Sequence, residues 1–320
     1  MSAIKSRINE MDALRGIAAI LVILFHYTFK FSEVFKFNGF SYHFSFGHYG
    51  VELFFVISGF VIFMTVEKVS SPLEFVKKRW IRLYPTFLIC MLLTFTVISL
   101  MHYEQLKVTW FEFLVNFSMV PSLIDVDAVD GVYWTLKVEV LFYAFIFFLL
   151  FTKQIQRYRL IGIAFLALTT LISIVYKFHP YLYDGTLFLM GVMFYNIWKG
   201  KASKTEHLLA VYAALLPGIF QNYELLTVNL ILVGIFYLLV YGKLKFLEVK
   251  PLIFLGEISY ALYLVHQKIG YIIQLQMVEH QFTNQVLLVL VPFAMAVLLA
   301  TIITFYVEKP ISKKLRDALK

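Results

Sequence analysis

Residues 286–307, VLLVLVPFAMAVLLATIITFYV, run on without a single charged side chain. An α-helix rises about 1.5 Å per residue, so about twenty apolar residues bridge a hydrocarbon core about 30 Å thick. Inside a soluble α/β domain such a run would be far longer than any buried strand. Residues 51–66 are of the same kind, broken only by Glu52, and the chain as a whole is 61% hydrophobic against 15% charged. In lipid every backbone polar group must be satisfied within the protein, which leaves helices or closed barrels, and runs of this length are helical. The sequence therefore predicts an all-α, polytopic membrane helix bundle.

Polar breaks divide the apolar sequence into about ten transmembrane helices, at roughly 12–31, 49–67, 79–101, 131–151, 158–177, 183–198, 207–220, 226–241, 252–277 and 285–307. The sixth and seventh are short, and Pro217 with Gly218 interrupts the end of the seventh. The first segment is full length, has no small-residue cleavage site and carries polar residues, so it reads as a retained helix rather than a signal peptide. Residues 1–320 read as one membrane domain, without repeats or an appended soluble module.

Cations fix the expected sidedness. Lys5 and Arg7, then Lys68, Lys77, Lys78 and Arg79, and further clusters through Lys309, Lys313, Lys314, Arg316 and Lys320 fall on one set of alternate loops. By the positive-inside rule those loops and both termini are cytoplasmic. The opposite loops hold only Lys30, Lys36, Lys107 and Lys177, and the largest, about 102–130, is acidic and aromatic. The net charge of +8 is thus explained by topology and anionic membrane lipids, with no nucleic-acid partner implied. Cys90 is the one cysteine, so no intrachain disulfide can form.

Ionisable groups at membrane depth are costly and point to protein interiors or cavities. The first helix, DALRGIAAILVILFH, holds two, Arg15 and His26. Eleven residues at 100° each come back to within about 20° of the same helix face, about 16 Å further along the axis. Arg15 alone reads as an interfacial arginine reaching headgroups. His26 lies deeper, where a neutral imidazole can still exchange a proton. Glu52 in GVELFFVISGF sits near the outer end of its helix and Glu139 in YWTLKVEVLFY about two turns below the outer surface, at a depth similar to His26, and either carboxylate could orient that imidazole. RWIRLYP places Arg79 and Arg82 three residues apart on one face, a fork-shaped donor pair suited to phosphate. In GEISYALYLVHQK, Ser259, Tyr263 and His266 share a face that is either a cavity wall or a set of hydroxyls bonding backbone carbonyls. In VEKP, Glu308 can pair with an arginine, and Pro310 is predicted to stop the last helix. No metalloprotease spacing, phosphate loop or nucleophile elbow occurs, so no metal site is predicted.

Taken together and in order, the Arg-x10-His helix, GVELFFVISGF, RWIRLYP, WTLKVEVLFY, LGEISYALYLVH and VEKP resemble the acyltransferase-3 family of integral membrane acyltransferases, from about residue 9 to 314. The resemblance implies transfer of an acyl group, commonly acetyl from cytoplasmic acetyl-CoA, to a hydroxyl of an extracytoplasmic or lipid-linked glycan by a multi-pass protein of a bacterial-type cell membrane. It maps the family's essential arginine and histidine onto Arg15 and His26, its arginine pair onto Arg79 and Arg82, and its Trp-Ser/Thr-Leu-x-x-Glu element onto Trp134, Thr135, Leu136 and Glu139. Many relatives have a second acid after that glutamate, where this chain has Val140. Some also carry a carboxy-terminal hydrolase-like domain. This chain stops soon after VEKP, so it is expected to acylate its acceptor directly or through a separate protein.

These readings combine into one expected site. Arg79, Arg82 and Arg15 hold the phosphates of acyl-CoA. His26 acts as general base, oriented by Glu139 or Glu52, or as an acyl carrier. Trp134, Tyr263 and His266 contact the acceptor. A surface polysaccharide of the exopolysaccharide or O-antigen kind is the expected acceptor, with a peptidoglycan, periplasmic glucan, lipid or small molecule as alternatives. A transporter or flippase would instead show inverted repeats, which this chain lacks.

Overall fold

The computed structural model describes residues 8–176, 179–282 and 284–318. Of the cations used above for sidedness, Lys5, Arg7, Lys177 and Lys320 lie outside the described residues. The described chain is helical, with no β-strand. Its helices are α1 (Asn9–Leu24), α2 (Phe31–Phe35), α3 (Gly50–Val66), α4 (Pro72–Met101), α5 (Trp110–Asn116), α6 (Trp134–Phe151), α7 (Tyr158–Val175), α8 (Pro180–Trp198), α9 (Lys204–Phe220), α10 (Tyr223–Val240), α11 (Lys250–Glu279), α12 (Gln285–Ile302) and α13 (Lys309–Ala318). Wide π-turns join α1 to α2 (Phe25–Lys30) and α12 to α13 (Ile303–Glu308).

Among the described residues, 7 helical segments are long and apolar enough to cross a membrane. The other three expected spans form as helices α8, α9 and α11, but α9 has only 17 residues and the 30 residues of α11 include a polar stretch. The outward faces are those of a membrane protein. In α12, Leu288, Pro292, Ala296 and Ala300 are buried at four-residue spacing, while Val286, Leu287, Leu290, Met295 and Leu298 are exposed. Beyond Leu288 the buried positions are proline and alanine, and the exposed large aliphatic side chains suit lipid.

The chain packs as two compact units. The first comprises the described chain up to Arg15 with Val51–Val76 and Leu141–Lys250; the second comprises Gly16–Gly50, Lys77–Val140 and Pro251–Lys320. In the first, α3 and α8 run parallel and touch through glycines: a Cβ at Gly59 would run into the Phe188 carbonyl, and one at Gly191 into that of Val56. Phe55 on Phe188 and Phe60 on Tyr195 continue the contact in the same direction.

Two boundaries differ from the sequence reading. Helix α4 begins at Pro72, some two turns before the expected entry, because Pro72 and Glu74 open a helix whose first turns are polar. Pro310 does not stop the last helix. It is the second residue of α13, directly after the π-turn, where widened hydrogen-bond spacing accommodates its ring.

Prolines inside helices remove an N–H and orphan the carbonyl four residues earlier. In the second unit both such carbonyls receive side-chain donors. Pro85 frees Ile81 O, which accepts from Ser312 Oγ at 3.3 Å. Pro292 frees Leu288 O, which accepts from Gln274 Nε2 at 3.0 Å.

Candidate active site

The site in the second unit starts from the register of two helices. A Cβ at Gly16 would collide with Leu252 O and lie 3.2 Å from Gly256 N, so α1 and α11 approach backbone to backbone at Gly16 and Gly256. The two helices run in the same direction, as the first and ninth expected spans must. Ten residues further along each stands a histidine, and equal rises of about 1.5 Å per residue keep them level. His26 and His266 therefore meet, with Nδ1 of His26 3.1 Å from Nε2 of His266. A turn beyond, the Tyr27 ring fills the space that a Cβ at Gly270 would need.

His26 lies in the π-turn. In a π-turn each N–H reaches one residue further back, which leaves carbonyls of the preceding turn short of donors. Side chains supply them: His26 Nδ1 lies 2.8 Å from Val22 O, and Thr28 Oγ1 donates to Leu24 O at 2.7 Å. The outward carbonyl of Tyr27 accepts from Gln274 Nε2 at 2.8 Å. Gln274 is fully buried, and its one amide group serves both the π-turn and the Pro292 irregularity.

These contacts assign the protons. Carbonyl oxygens only accept, so His26 carries its proton on Nδ1, shared between Val22 O and His266. His266 Nδ1 lies 2.8 Å from Tyr263 O and must likewise be protonated, which leaves the Nε2 lone pair of His266 facing His26. In a neutral pair, the free lone pair of His26 is then on Nε2. The ring is oriented by a histidine and a backbone carbonyl, and neither Glu139 nor Glu52 is among the partners of its Nδ1.

The turn of α11 that carries His266 is itself clamped. Leu264 O accepts from Tyr133 Oη at 3.3 Å, Lys268 N donates to Asp130 Oδ2 at 3.1 Å, and His266 O accepts from Tyr27 Oη at 2.8 Å. Asp130 is fully buried, and its Oδ1 accepts from Val132 N, capping the turn that opens α6. Burial pushes its carboxyl up to about 6, against the opposing pull of the Lys268 charge and of the two backbone N–H groups. Asp130 and Tyr133 were not singled out from the sequence. The signal was there in Asp-Gly immediately before a helix, the pattern of an N-cap.

Of the expected acceptor contacts, Tyr263 donates to Val132 O at 3.2 Å and accepts from Thr135 Oγ1 at 3.1 Å, while Ser259 donates to Gly256 O. Both hydroxyls thus bond backbone carbonyls, Ser259 within α11 and Tyr263 across to the turn that opens α6. Trp134, first residue of α6, is 46% exposed. Glu139 is half-buried one turn beyond Thr135 on the same helix.

The arginine pair stands at the other end of the unit. Arg82 pairs with the buried carboxylate of Glu308 and lies over the Tyr260 ring at 5.7 Å, and Tyr260 donates to Leu83 O. Glu308 thus pairs with an arginine, as the VEKP motif suggested. Lys309 Nζ is 2.5 Å from Glu257 Oε1. Arg79 is half-buried one turn earlier on α4.

Two expected site residues belong to the first unit. Arg15 pairs with Asp12 at 3.2 Å. Glu52 is 9% exposed, and Tyr183 Oη lies 3.5 Å from both its Oε1 and Asn229 Oδ1. Among the described residues, no group of three or more His, Cys, Asp or Glu side chains is placed to hold a metal.

The chain is similar to the O-acetyltransferase OatA of Staphylococcus aureus strain NCTC 8325, with 26% identity over 95% of this chain and 57% of the relative. It is also similar to the exopolysaccharide production protein ExoZ of Rhizobium meliloti strain 1021, with 27% identity over 70% of this chain and 77% of the relative. The chain thus spans little more than half the length of the OatA proteins it matches. No solved structure matches it. The family model for the acyltransferase domain of the acyltransferase-3 type matches residues 8–307, a stretch that holds His26, and the chain belongs to that family.

Proposed function

We propose that this chain is a membrane O-acyltransferase that moves an acetyl group from acetyl-CoA to a hydroxyl of a cell-surface or lipid-linked polysaccharide, with His26 as general base. The observation that carries the reading is the hydrogen bonding of His26. Its Nδ1–H is engaged by Val22 O and His266, which leaves Nε2 as the basic nitrogen. General-base work needs a ring fixed in one tautomer, with its far N–H stabilised as positive charge develops.

In this mechanism Nε2 of His26 takes the proton of the acceptor hydroxyl as its oxygen attacks the thioester carbonyl. The imidazolium that forms is held by Val22 O and by the lone pair of His266. Collapse of the tetrahedral intermediate breaks the C–S bond, and the proton on Nε2 passes to the departing CoA thiolate. Arg79 and Arg82 bind donor phosphates at the expected cytoplasmic end, with Glu308 aligning Arg82, and Arg15 contributes charge on the helix that carries His26. Glu139 adds a carboxylate to the α6 wall beside the Thr135–Tyr263 contact, and Glu52 supplies a buried acid in the first unit. The relatives named O-acetyltransferase and exopolysaccharide production protein support the acetyl group and the glycan.

The test is transfer of label from acetyl-CoA to an isolated surface polysaccharide by the purified, monodisperse protein. Ester-linked label with the native chain and its absence with His26→Ala is the expected result. Undiminished transfer by His26→Ala would overturn the assignment.

A further inference from the structure

We propose that α5 is a re-entrant helix whose exposed face, Trp110, Phe111 and Leu114, packs against the hydrocarbon of the outer leaflet. Part of the stretch that reads as the largest outer loop is then a membrane element of the second unit, and its partner is lipid. Helix α4 supplies the depth scale. Between Leu83 and Met101 it carries no charged side chain, and Leu92, Leu100 and Met101 stand exposed along it. Exposed charged and amide groups begin only past its end, at Glu104, Gln105 and Lys107. The apolar band therefore reaches the end of α4. The chain then turns back. Phe113 stacks on Phe95 at 4.1 Å, and Trp110 meets the same ring edge-on at 4.9 Å. Phe95 lies six residues before Met101, about 9 Å along the axis. Four residues after Phe113, Phe117 O accepts from Tyr84 Oη at 3.3 Å, and Tyr84 stands seventeen residues before Met101, about 25 Å. Helix α5 thus runs back down along α4, inside the edge of its apolar band.

Backbone groups at that depth have to find their partners within the protein. Those at the two ends of α5 do. Thr109 Oγ1 accepts from Glu112 N at 3.2 Å and Glu112 Oε2 accepts from Thr109 N at 2.6 Å, a capping box that closes the first turn. At the other end Glu112 O accepts from Asn116 Nδ2, and Tyr84 serves Phe117 O. The returning segment is tied in by the same Asn116, which donates to Asp127 O and accepts from Val129 N.

The faces of α5 divide to match. Phe113 and Asn116 are buried, whereas Trp110, Phe111 and Leu114 are 71%, 65% and 62% exposed, and no exposed residue of α5 is polar. None of the three lines the cavity that this segment walls, to which Glu112 and Met119 contribute. A contiguous outward face of Trp, Phe and Leu is unfavourable in water and suits the boundary between headgroups and acyl chains, where tryptophan concentrates. It also continues the lipid-facing surface of α4 instead of standing alone. A sugar platform would interleave its aromatics with hydrogen-bonding side chains, which this face lacks. The contact bears on the site as well. Asn116 joins α5 to Val129, and the next residue, Asp130, holds the turn of α11 that carries His266. Lipid packed on α5 supports that segment from outside.

The experiment is tryptophan fluorescence of the full chain in nanodiscs of brominated phosphatidylcholine, whose bromines quench an indole on contact. The Trp80→Phe/Trp134→Phe/Trp198→Phe chain isolates Trp110. Comparison of the native chain with Trp110→Phe yields the same quantity while leaving the other three tryptophans in place, so a misfolded triple variant does not end the test. Trp110 is expected to emit at short wavelength and to be quenched about twofold or more by bromines about 5–10 Å below the headgroups, the depth of an interfacial helix. Bromines at the chain ends should quench it less, and aqueous iodide hardly at all. Quenching by iodide and not by bromolipid would make this an aqueous face, open to a glycan. Quenching by neither would mean that protein covers it, a second copy or another chain. Either result would overturn the proposal, and none of these readouts depends on acyl transfer.

Discussion

Replacing His266 separates an orienting role from a mere packing one. The structure gives His266 one polar contact with the proposed base, the 3.1 Å approach of its Nε2 to Nδ1 of His26, and anchors its own Nδ1 on Tyr263 O at 2.8 Å. As His26 becomes charged, that contact turns from a neutral hydrogen bond into one with a cationic donor. Bonds to charged groups contribute about 1.5–3 kcal/mol, against about 1 for neutral ones, so the excess of about 0.5–2 kcal/mol lost in His266→Ala should cost roughly 2–30-fold in kcat. Val22 O still fixes the tautomer, which keeps the loss below the ~10⁴-fold seen where an orienting group is lost and the wrong tautomer results. KM for acetyl-CoA should change little, because the donor phosphates are assigned to Arg79 and Arg82.

The assay is initial-rate release of CoA coupled to ester formation, with monodispersity and thermal stability checked in parallel. His266→Gln, whose Oε1 can accept from His26 Nδ1–H, should recover part of the loss that His266→Ala and His266→Phe share. The double variant His26→Ala/His266→Ala should be no slower than His26→Ala alone, since an orienter has nothing left to orient. Additive losses in that cycle, or a folded His266→Ala that turns over at the native rate, would refute the reasoning.

Gln274→Leu removes the donor that serves both Tyr27 O and Leu288 O; two buried carbonyls left unpaired should lower stability by about 2–5 kcal/mol, read as a fall in melting temperature, whereas Gln274→Glu, which keeps the shape but can donate only when protonated, should be intermediate at best. Glu308→Gln should raise KM for acetyl-CoA several-fold with little change in kcat, because it releases Arg82 from its alignment, and an unchanged KM would detach the pair from donor binding. Its stability cost should be only about 1–2 kcal/mol, since the Arg82 side chain is 43% exposed. Glu206 pairs with Arg159 and caps α9; burial raises its carboxyl, but Arg159, Ser203 and Tyr158 outweigh that and bring it down to about 2 from 4.5. Its folded value is depressed, so the stabilisation is present above about 4.5 and fades as pH falls toward 2: Glu206→Gln should be less stable by about 2–3 kcal/mol at pH 7, with the gap closing through that window in acid melts. A gap of constant size at all pH values would show that the carboxylate's charge is not the cause.

The helices and their approximate positions were legible because lipid imposes so simple a rule on length and polarity. His26, Arg82 and Glu308 stood out for the same reason, as charged or titratable groups where such groups are costly. The irregular backbone was less legible. Pro310 looked like a stop because a proline reads as a break, yet the π-turn before it, invisible in composition, carries the helix on. The partner of His26 was assigned to a carboxylate because acids are the usual company of a catalytic imidazole. Local spacing could not reveal that the side chain meeting its Nδ1 was the histidine 240 residues away.

A signal for that meeting nevertheless lies in the sequence. LRGIAAILVILFH and LGEISYALYLVH each place a histidine ten residues after a glycine. If the two glycines are where parallel helices touch, equal spacing brings the histidines level whatever lies between them. The same logic explains why α11 fails the test of a simple membrane span. Its polar stretch, Ser259 through Gln274, is turned inward: His266 and Gln274 are fully buried, and Ser259 and Gln267 nearly so. Each of His266 and Gln274 answers a particular departure from regular helix in α1 or α12, and Asp130 and Tyr133 hold the intervening turn of α11 from the α6 side. A helix whose side chains complete its neighbours' hydrogen bonds has to be less apolar than one that faces lipid. Its low hydropathy is therefore a consequence of completing those bonds, and a search for short-of-apolar helices with glycine-to-histidine spacing matched to the first span would be expected to find the same histidine pair in other chains of this architecture.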